Sequence, residues 1–368
     1  MKAVRFRIEE IIKVAALYLD YTIYLLLNPF KFKRKPQNIR KILVVELLKI
    51  GDLIVTTPSL KALKEKYPQA KIHLMVQKGF EDVLRGNRNI DRIITYHEGI
   101  RPTLKSEKYD LGVIFHPGSL KVSNLLRKVG VKYRIGCAKV GILSGKGYFL
   151  NKKMCPNTKP QHKTIDNIDV IKPLGIKISR KLEITVPEEA EKKVIKNFEK
   201  NNIRKKDYKV VLHLGSNYRT HEWSTERFIE LGEYLITNRK AKIILTGSKK
   251  DKDKNEEVKS GLNCRALNTA GSTIKEFFAY IKQADLVVSI DTSAMHIASA
   301  YNKPIVALFG AGDPRVWQPL SENRKVIFND KYCTSCMKGV CFRKGKRKQE
   351  CMRSISVNQV IQNVEALK

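Results

Sequence analysis

The residues that follow the first apolar run could take part in proton transfer. The run Lys41 to Leu47, KILVVEL, leads into Gly51 and Asp52. Glycine lets the backbone turn sharply, and a carboxylate at the mouth of a sheet can accept a proton from an acceptor hydroxyl. An aspartate at this point can also simply cap the helix that follows. These two residues alone therefore leave a general base and a helix cap as alternatives.

Polar loops in the second half of the chain are suited to binding phosphate. They follow three apolar runs and contribute Gly215, Ser216, Asn217, Arg219 and His221; then Asp291, Thr292, Ser293, Ala294 and His296; and finally the segment Phe309 to Pro314. Asp291 ends a predicted strand, and Thr292 opens a predicted helix. Free backbone N–H groups and hydroxyls should therefore point into a cleft, where they could bind a pyrophosphate. His296 alone would more often be a packed helix residue.

Short β-branched runs alternate with helical patterns in both halves of the chain, which predicts an α/β fold with two doubly wound parallel sheets. The predicted strands are Lys41 to Leu47, Lys71 to Val76, Asp91 to Tyr96, Leu111 to Phe115, Lys209 to Leu214, Lys242 to Thr246, Asp285 to Ile290 and Pro304 to Phe309. Ligands of such sheets bind outside the carboxyl ends of the strands, where the polar loops lie. We predict an N-terminal segment over residues 1–40 and domains over residues 41–175 and 176–368.

Composition narrows the classes of function. The 368 residues are 42% hydrophobic, which excludes a disordered or low-complexity protein. Lys and Arg number 71 against 36 Asp and Glu, and the net charge of +35 favours anionic partners, unless the lysines only keep the surface soluble. The chain lacks the glycine-rich phosphate loops of nicotinamide dehydrogenases and P-loop nucleotidases. Seven cysteines are too few for a disulfide scaffold, which indicates a reducing compartment.

The N-terminal segment predicts an amphipathic helix. Residues Ile11 to Leu27 are mostly apolar, but Lys13 and Asp20 interrupt them, so a membrane-spanning helix is disfavoured. At helical spacing, a narrow polar stripe consists of Glu9, Lys13, Ala16 and Asp20. A broad apolar face contains Ile12, Ala15, Leu19, Ile23 and Leu26. The basic residues that follow are Lys31, Lys33, Arg34 and Lys35. This pattern fits a helix on an anionic membrane surface or a helix packed on its own domain.

Four cysteines lie close together near the C-terminus. They are Cys333, Cys336, Cys341 and Cys351. Their proximity in the sequence allows a structural zinc site, while free or bridged thiols are the alternative.

Four segments, taken in order, resemble glycosyltransferase family 9, the ADP-heptose:lipopolysaccharide heptosyltransferases. They are IGDLIVTTPSLKALKEKYP from Ile50, HLGSNYRTHEWSTERF from His213, DTSAMHIASAYNKPIVALFGAGDP from Asp291, and the closing cysteines. The resemblance implies a GT-B architecture, in which two Rossmann-like domains face an interdomain cleft. It implies a nucleotide sugar held mainly by the C-terminal domain and a lipid-linked oligosaccharide acceptor held by the N-terminal one. It also implies inverting transfer that needs no metal.

The resemblance also assigns roles to individual residues. Asp52 matches the general base, and Gly51 and Thr56 accompany it in the same substrate-binding motif. Ser216 and Asn217 match phosphate-contacting positions. The other matched positions in the sugar and phosphate site are Asp291, Thr292, Ser293, Ala294 and His296. The chain departs from the family where His221 replaces a phosphate-binding lysine, for which Arg219 could substitute, and where Ser293 and Ala311-Gly312 replace a glycine and a Pro-Thr pair.

The sequence as a whole predicts an inverting glycosyltransferase that moves a sugar, expected to be heptose from ADP-heptose, to the inner core of a lipopolysaccharide or lipooligosaccharide. One alternative is a glycosyltransferase of the same fold with another donor. The other is a basic nucleic-acid-binding protein, which charge alone suggests, although no nucleic-acid module is recognisable. We expect no cofactor in catalysis, no nucleic-acid partner, and a cytoplasmic protein peripheral to the inner face of the cytoplasmic membrane.

Overall fold

The structure is a computed structural model that describes residues 15–26, 35–115, 117–138, 147–154, 159–176, 179–330, 336 and 340–367. The first half of the chain forms a parallel sheet of β1 (Lys41–Val45), β2 (Lys71–Val76), β3 (Arg92–Thr95), β4 (Leu111–Ile114), β5 (Tyr133–Cys137) and β6 (Lys152–Met154). The strand order is β3-β2-β1-β4-β5-β6. Its helices are α1 (residues 15–26), α2 (Ile50–Lys66), α3 (Arg101–Glu107), α4 (Leu120–Lys128) and α5 (Lys163–Ile171).

The second half repeats this architecture. Its parallel strands are β7 (Lys209–His213), β8 (Lys242–Thr246), β9 (Ala266–Asn268), β10 (Leu286–Ile290), β11 (Ile305–Phe309) and β12 (Arg324–Phe328), in the order β12-β11-β10-β7-β8-β9. Its helices are α6 (Glu188–Lys200), α7 (Thr225–Arg239), α8 (Lys252–Gly261), α9 (Ile274–Gln283), α10 (Ser293–Ala300), α11 (Pro314–Trp317), α12 (Glu350–Arg353) and α13 (Val357–Glu365). The α/β class with two doubly wound parallel sheets is therefore confirmed.

The apolar runs locate the strands that carry the site. They predict β2 and β8 to the residue, and the other six predicted runs overlap β1, β3, β4, β7, β10 and β11. The pattern does not predict β5, β6, β9 and β12, which lie at or next to a sheet edge. The edge strands β6 and β9 have three residues each, and β6 carries polar side chains in KKM, so they lack the continuous apolar run of an inner parallel strand.

Helices α2 and α10 join the two halves. Both follow the carboxyl end of a central strand, and α2 packs against α10 as well as against α5. Buried Leu53 of α2 and Met295 of α10 belong to one apolar cluster that draws on both sheets. This packing brings the loops after β1 and β10 together, as the doubly wound topology predicts.

Helix α1 is oriented with its polar side toward the protein. Asp20 forms an ion pair with Arg127 of α4 at 2.6 Å, and Tyr21 stacks on Tyr148 with ring centres 3.9 Å apart. On the opposite side, Leu19 and Leu26 are 63% and 74% exposed. None of the helices in the described ranges is long and apolar enough to cross a bilayer. The predicted positions Glu9, Ile12, Lys13, Lys31, Lys33 and Arg34 lie outside the described residues.

Candidate active site between the two sheets

Asp52 lies at the start of α2, where that helix meets the second half of the chain. It is the third residue of the helix, and its Oδ2 accepts a hydrogen bond from the backbone N–H of Lys49 at 3.3 Å. The aspartate thus caps the helix, which is one of the two roles that the sequence allows. Burial raises the pKa of Asp52, whereas the charge of Lys163 and the Lys49 N–H lower it. A carboxyl group with a raised pKa at the mouth of a sheet retains the properties of a general base.

Gly51 brings α2 into direct contact with α10. A β-carbon at this position would lie 2.9 Å from Cδ2 of His296, closer than van der Waals contact allows. His296 itself is buried, contacts Trp317 edge to face at 5.9 Å, and its Nδ1 has no hydrogen-bond partner among the described residues. Burial and the neighbouring His162 lower the pKa of His296 to about 3, so its ring is neutral. Gly51 and His296 therefore form a close contact between α2 and α10 at the junction of the two halves.

Thr56 is directed into the protein. Its side chain is fully buried, and its hydroxyl donates to the Asp52 carbonyl at 2.8 Å and accepts from Asn167 Nδ2 at 3.0 Å. Because both hydrogen bonds are internal, Thr56 holds α2 to α5. The structure thus gives Thr56 a role in packing, and the substrate contact that the sequence motif predicts stays a prediction.

Two further titratable residues lie beside Asp52 and are missing from the site that the sequence predicts. Glu46 directly follows β1 and Lys163 begins α5, and both are buried. Burial and the charge of Asp52 raise the pKa of Glu46, and burial lowers the pKa of Lys163. A sequence signal exists for Glu46, because an acid interrupts the otherwise apolar run KILVVEL. Lys163 carries no such signal, since a lysine at a helix start usually lies on the surface.

The loop after β7 reaches across the cleft toward α2. Lys49 Nζ lies 3.1 Å from the Tyr218 hydroxyl and 4.3 Å from the centre of its ring. Asn217 and Arg219 are exposed beside this contact. Ser216 is partly exposed, and its hydroxyl accepts from the Tyr218 N–H at 3.1 Å. These side chains are accessible to a ligand that enters between the two sheets.

His221 and Asp291 connect this loop to the end of β10. The Nδ1 atom of His221 lies 3.4 Å from both the carbonyl and Oδ2 of Asp291. Burial raises the pKa of Asp291 to about 7, and burial lowers the pKa of His221. Both pKa shifts favour the neutral forms of the two side chains. His221 can therefore take up a proton, and with it a positive charge, when an anionic ligand enters. Gly312 lies so close that a β-carbon there would stand 1.7 Å from Oδ2 of Asp291.

The amino end of α10 opens toward the same space. Thr292 precedes the helix, and its Oγ1 lies 3.2 Å from the Ser289 hydroxyl and 3.3 Å from the Ile290 carbonyl. Thr292 and Ser293 are partly exposed, whereas Ala294 is buried, so its methyl group contributes to the core. The first N–H groups of a helix have no partner within it and carry partial positive charge. The site thus places an acid at one wall and N–H donors at the other.

The family of the chain follows from a match to a family model. The model described as glycosyltransferase family 9 (heptosyltransferase) matches residues 99–346. The chain belongs to glycosyltransferase family 9. This family 9 glycosyltransferase is 26% identical over 294 residues to lipopolysaccharide heptosyltransferase 3 of Escherichia coli, a match that covers 74% of the chain and 83% of that protein. It is also 26% identical over 320 residues to lipooligosaccharide heptosyltransferase 2 of Haemophilus influenzae, with 78% of the chain and 88% of that protein covered.

Solved structures of this architecture match nearly the whole chain. A family 9 glycosyl transferase from Veillonella parvula superposes with a TM-score of 0.75 at 22% identity, covering 90% of the chain and 97% of that structure. The ADP-heptose lipopolysaccharide heptosyltransferase II of Escherichia coli gives a TM-score of 0.73 at 20% identity, covering 89% and 98%. These similarities confirm the GT-B arrangement of two Rossmann-like sheets that face a cleft.

The cysteine cluster is described only in part. Cys333 lies outside the described residues, Cys351 is buried, and Cys341 Sγ accepts from the Gln349 N–H at 3.4 Å. Within the described residues, no group of three His, Cys, Asp or Glu side chains is arranged to hold a metal ion. The site of four thiols therefore stays a prediction from the sequence.

Proposed function

We propose that this glycosyltransferase transfers heptose from ADP-heptose to the inner core of a lipopolysaccharide or lipooligosaccharide. The observation that carries the proposal is the contact of α2 with α10, which sets Asp52 and the amino end of α10 on adjoining walls of one cleft. A carboxylate that accepts a proton next to donors that bind phosphate is the arrangement that glycosyl transfer from a nucleotide diphosphate requires. The heptosyltransferases to which the chain is similar support the choice of sugar and acceptor.

In this proposal, the nucleotide-sugar donor binds to the C-terminal half of the chain, residues 176–368. Its diphosphate contacts the free N–H groups at Thr292 and Ser293, together with Ser216 and Asn217. The exposed guanidinium of Arg219 and the imidazole of His221 supply positive charge. Asp291, held in place beside Gly312, contacts the sugar. Charge-assisted hydrogen bonds of this kind stabilise the negative charge that develops on the leaving phosphate.

The acceptor occupies residues 41–175, and its hydroxyl faces Asp52. Asp52 takes the proton of that hydroxyl as the oxygen forms a bond to the anomeric carbon. The bond from this carbon to the phosphate oxygen breaks, and the nucleoside diphosphate leaves with the electron pair. Because the attack comes from the face opposite the leaving group, the anomeric configuration inverts. No metal ion takes part in this scheme, and the chain's own donors balance the charge.

Helix α1 supports a place for the enzyme on the inner face of the cytoplasmic membrane. Asp20 anchors it to Arg127, so its apolar side faces outward. Leu19, Ile23 and Leu26 form a stripe on that side and are 63%, 45% and 74% exposed. The protein carries a net charge of +35, which favours an anionic lipid surface over a neutral one. A lipid-linked acceptor would be presented at such a surface.

A donor and acceptor panel tests this function. Purified enzyme is incubated with ADP-heptose, and with UDP- and GDP-sugars, on a truncated lipid A core, and the products are weighed by mass spectrometry. We expect one added heptose with ADP-heptose alone, and inversion in the NMR spectrum of the product. Transfer from another donor would replace the proposed sugar. In a parallel thermal-shift measurement, a rise in melting temperature with single-stranded nucleic acid and none with any nucleotide sugar would contradict the enzyme assignment.

A further inference from the structure

Two buried charged residues next to Asp52 have no part in the scheme above. Glu46 is 2% exposed at the end of β1, and Lys163 is 1% exposed at the start of α5. Burying a charged group is unfavourable unless a partner compensates for it. Their position beside Asp52 therefore calls for a physical reason.

Within the described part of the chain, the ammonium group of Lys163 is not compensated by hydrogen bonds. Its Nζ has no hydrogen-bond partner among the described residues. It lies 6.0 Å from the centre of the Trp317 ring, which belongs to the second half of the chain, so the group is directed toward the cleft. The groups that act on its charge are the carboxyl groups of Glu46, Asp52 and Asp166 and the thiol of Cys137. Of these, Asp166 already accepts a hydrogen bond from Gln161 at 2.8 Å.

Glu46 and Asp52 differ in what surrounds their oxygens. Glu46 Oε1 accepts one backbone N–H, that of Leu48 at 3.1 Å, and Oε2 is buried with no hydrogen-bond partner among the described residues. An orphaned oxygen of this kind is typical of a neutral acid. Asp52 lies instead in the first turn of α2, where the positive end of the helix stabilises a negative charge. The helix end therefore favours the ionised form at Asp52 and opposes the effect of burial there, whereas the unpaired oxygen of Glu46 favours its protonated form.

We propose that Lys163 is a positioning residue that holds Asp52 in the ionised form needed to accept the acceptor's proton, while Glu46 beside them stays protonated. The proposal rests on the proposed function, in which Asp52 is the base. Lys163 exchanges no proton in the reaction. Its charge lowers the pKa of Asp52 and so opposes the rise that burial causes.

Several titratable or charged groups lie around Asp52 and Lys163, and of these the charges of Lys163 and Lys49 lower the pKa of Asp52. The groups are Lys49 before α2, Glu46 after β1, Lys163 and Asp166 of α5, and His296 of α10, behind which lies His162. Burial keeps the rings of His296 and His162 neutral by lowering their pKa values. Lys49 is at the surface and contacts Tyr218. Lys163 is thus the buried cation that acts on Asp52 within the described residues.

The pH dependence of kcat/KM tests this role, because a purely structural lysine would not move it. In wild type the acid limb of the profile reports the ionisation of Asp52. We expect Lys163→Met to move this limb upward by about 1 to 3 pH units, so that activity is lost at pH 6 and recovers toward pH 9. Lys163→Arg, which keeps the charge, should bring the limb back. Lys209→Met is the matched control, since Lys209 is also buried but lies at the amino end of β7, and its profile should stay in place.

The Glu46→Gln variant distinguishes whether the charge of Lys163 stabilises the ionised form of Asp52 or that of Glu46. Glutamine mimics the protonated acid, so we expect the acid limb to stay where it is. The double variant Glu46→Gln with Lys163→Met buries no charge at either position, which protects its folding, and it should show the same raised limb as Lys163→Met. A downward shift in Glu46→Gln, or a wild-type limb in the double variant, would overturn the proposal. If Asp52→Asn keeps wild-type turnover, the base assignment itself fails, whereas an inactive Asp52→Asn with an unmoved limb in Lys163→Met refutes only the role of Lys163.

Discussion

Gly51 and His296 touch across the junction of the two sheets, and a β-carbon at Gly51 would stand 2.9 Å from the imidazole Cδ2. The imidazole is 3% exposed and packed against Trp317, so it cannot swing aside at low cost. The close packing of α2, which carries Asp52, against α10, whose amino end faces the proposed donor site, therefore requires a residue without a β-carbon at position 51.

Gly51→Ala should separate these two helices. We expect kcat/KM to fall by about 100-fold, because a displacement of about 1 Å at a reacting pair has an effect of this size. The free energy of unfolding should change much less than the activation free energy of the reaction does. Gly99→Ala is the control, since its β-carbon would meet the His97 ring at an ordinary 3.5 Å. Equal activity in the two variants would show that the contact between Gly51 and His296 does not position the two helices for the reaction.

Asp52→Asn should remove proton acceptance while the fold is kept. Turnover is expected to drop about 100- to 10,000-fold, the usual loss for a general base. Binding of the donor, measured by calorimetry with ADP, should remain near that of wild type, because the proposed donor contacts lie in the other half of the chain. A large loss of ADP affinity would instead mean that Asp52 contacts the donor.

Gly312→Ala should displace the carboxyl group of Asp291. A β-carbon there would lie 1.7 Å from Oδ2, so the carboxyl group must move, and we expect donor affinity to weaken roughly tenfold or more. The comparison with Asp291→Ala and with the double variant isolates this cause. If the clash with Asp291 is responsible, the double variant binds donor no more weakly than Asp291→Ala does. Additive losses would contradict this explanation.

Donor affinity should rise as the pH falls. Burial lowers the pKa of His221 below its ordinary value of 6.5 in the free enzyme, and a bound diphosphate raises it, so binding takes up a proton. The affinity is therefore highest below the free-enzyme pKa and declines as the pH rises through the pKa of the complex. His221→Lys should flatten this dependence between pH 6 and 8. An unchanged slope in that variant would assign it to Asp291, whose pKa burial raises to about 7.

The exposed face of α1 should bind anionic membranes. Replacing Leu19, Ile23 and Leu26 together by serine should abolish co-sedimentation with vesicles that contain phosphatidylglycerol, while activity on a micellar acceptor persists. Ile195→Ser is the control, because Ile195 of α6 is also an exposed apolar residue, at 42%. Wild-type binding should weaken as salt screens the charges. A wild-type protein that forms dimers through this face and ignores vesicles would contradict the membrane proposal.

The sequence by itself determined the class of fold and the order of the loops. Period and composition identify parallel strands such as β2 and β8, because an inner parallel strand buries both faces and leaves an unbroken apolar run. The motifs placed Asp52 and Asp291 after such strands, where ligands of doubly wound sheets bind. Family membership followed from the same motifs and is confirmed by the family model.

Only the tertiary structure decided which residues surround Asp52. Lys163 lies more than one hundred positions away in sequence, and nothing local distinguishes it from a surface lysine, but the packing of α5 on α2 buries it beside the carboxyl group of Asp52. The same packing turns the hydroxyl of Thr56 inward. Side-chain direction and burial depend on contacts between helices that are distant in sequence, and a local pattern carries no record of them.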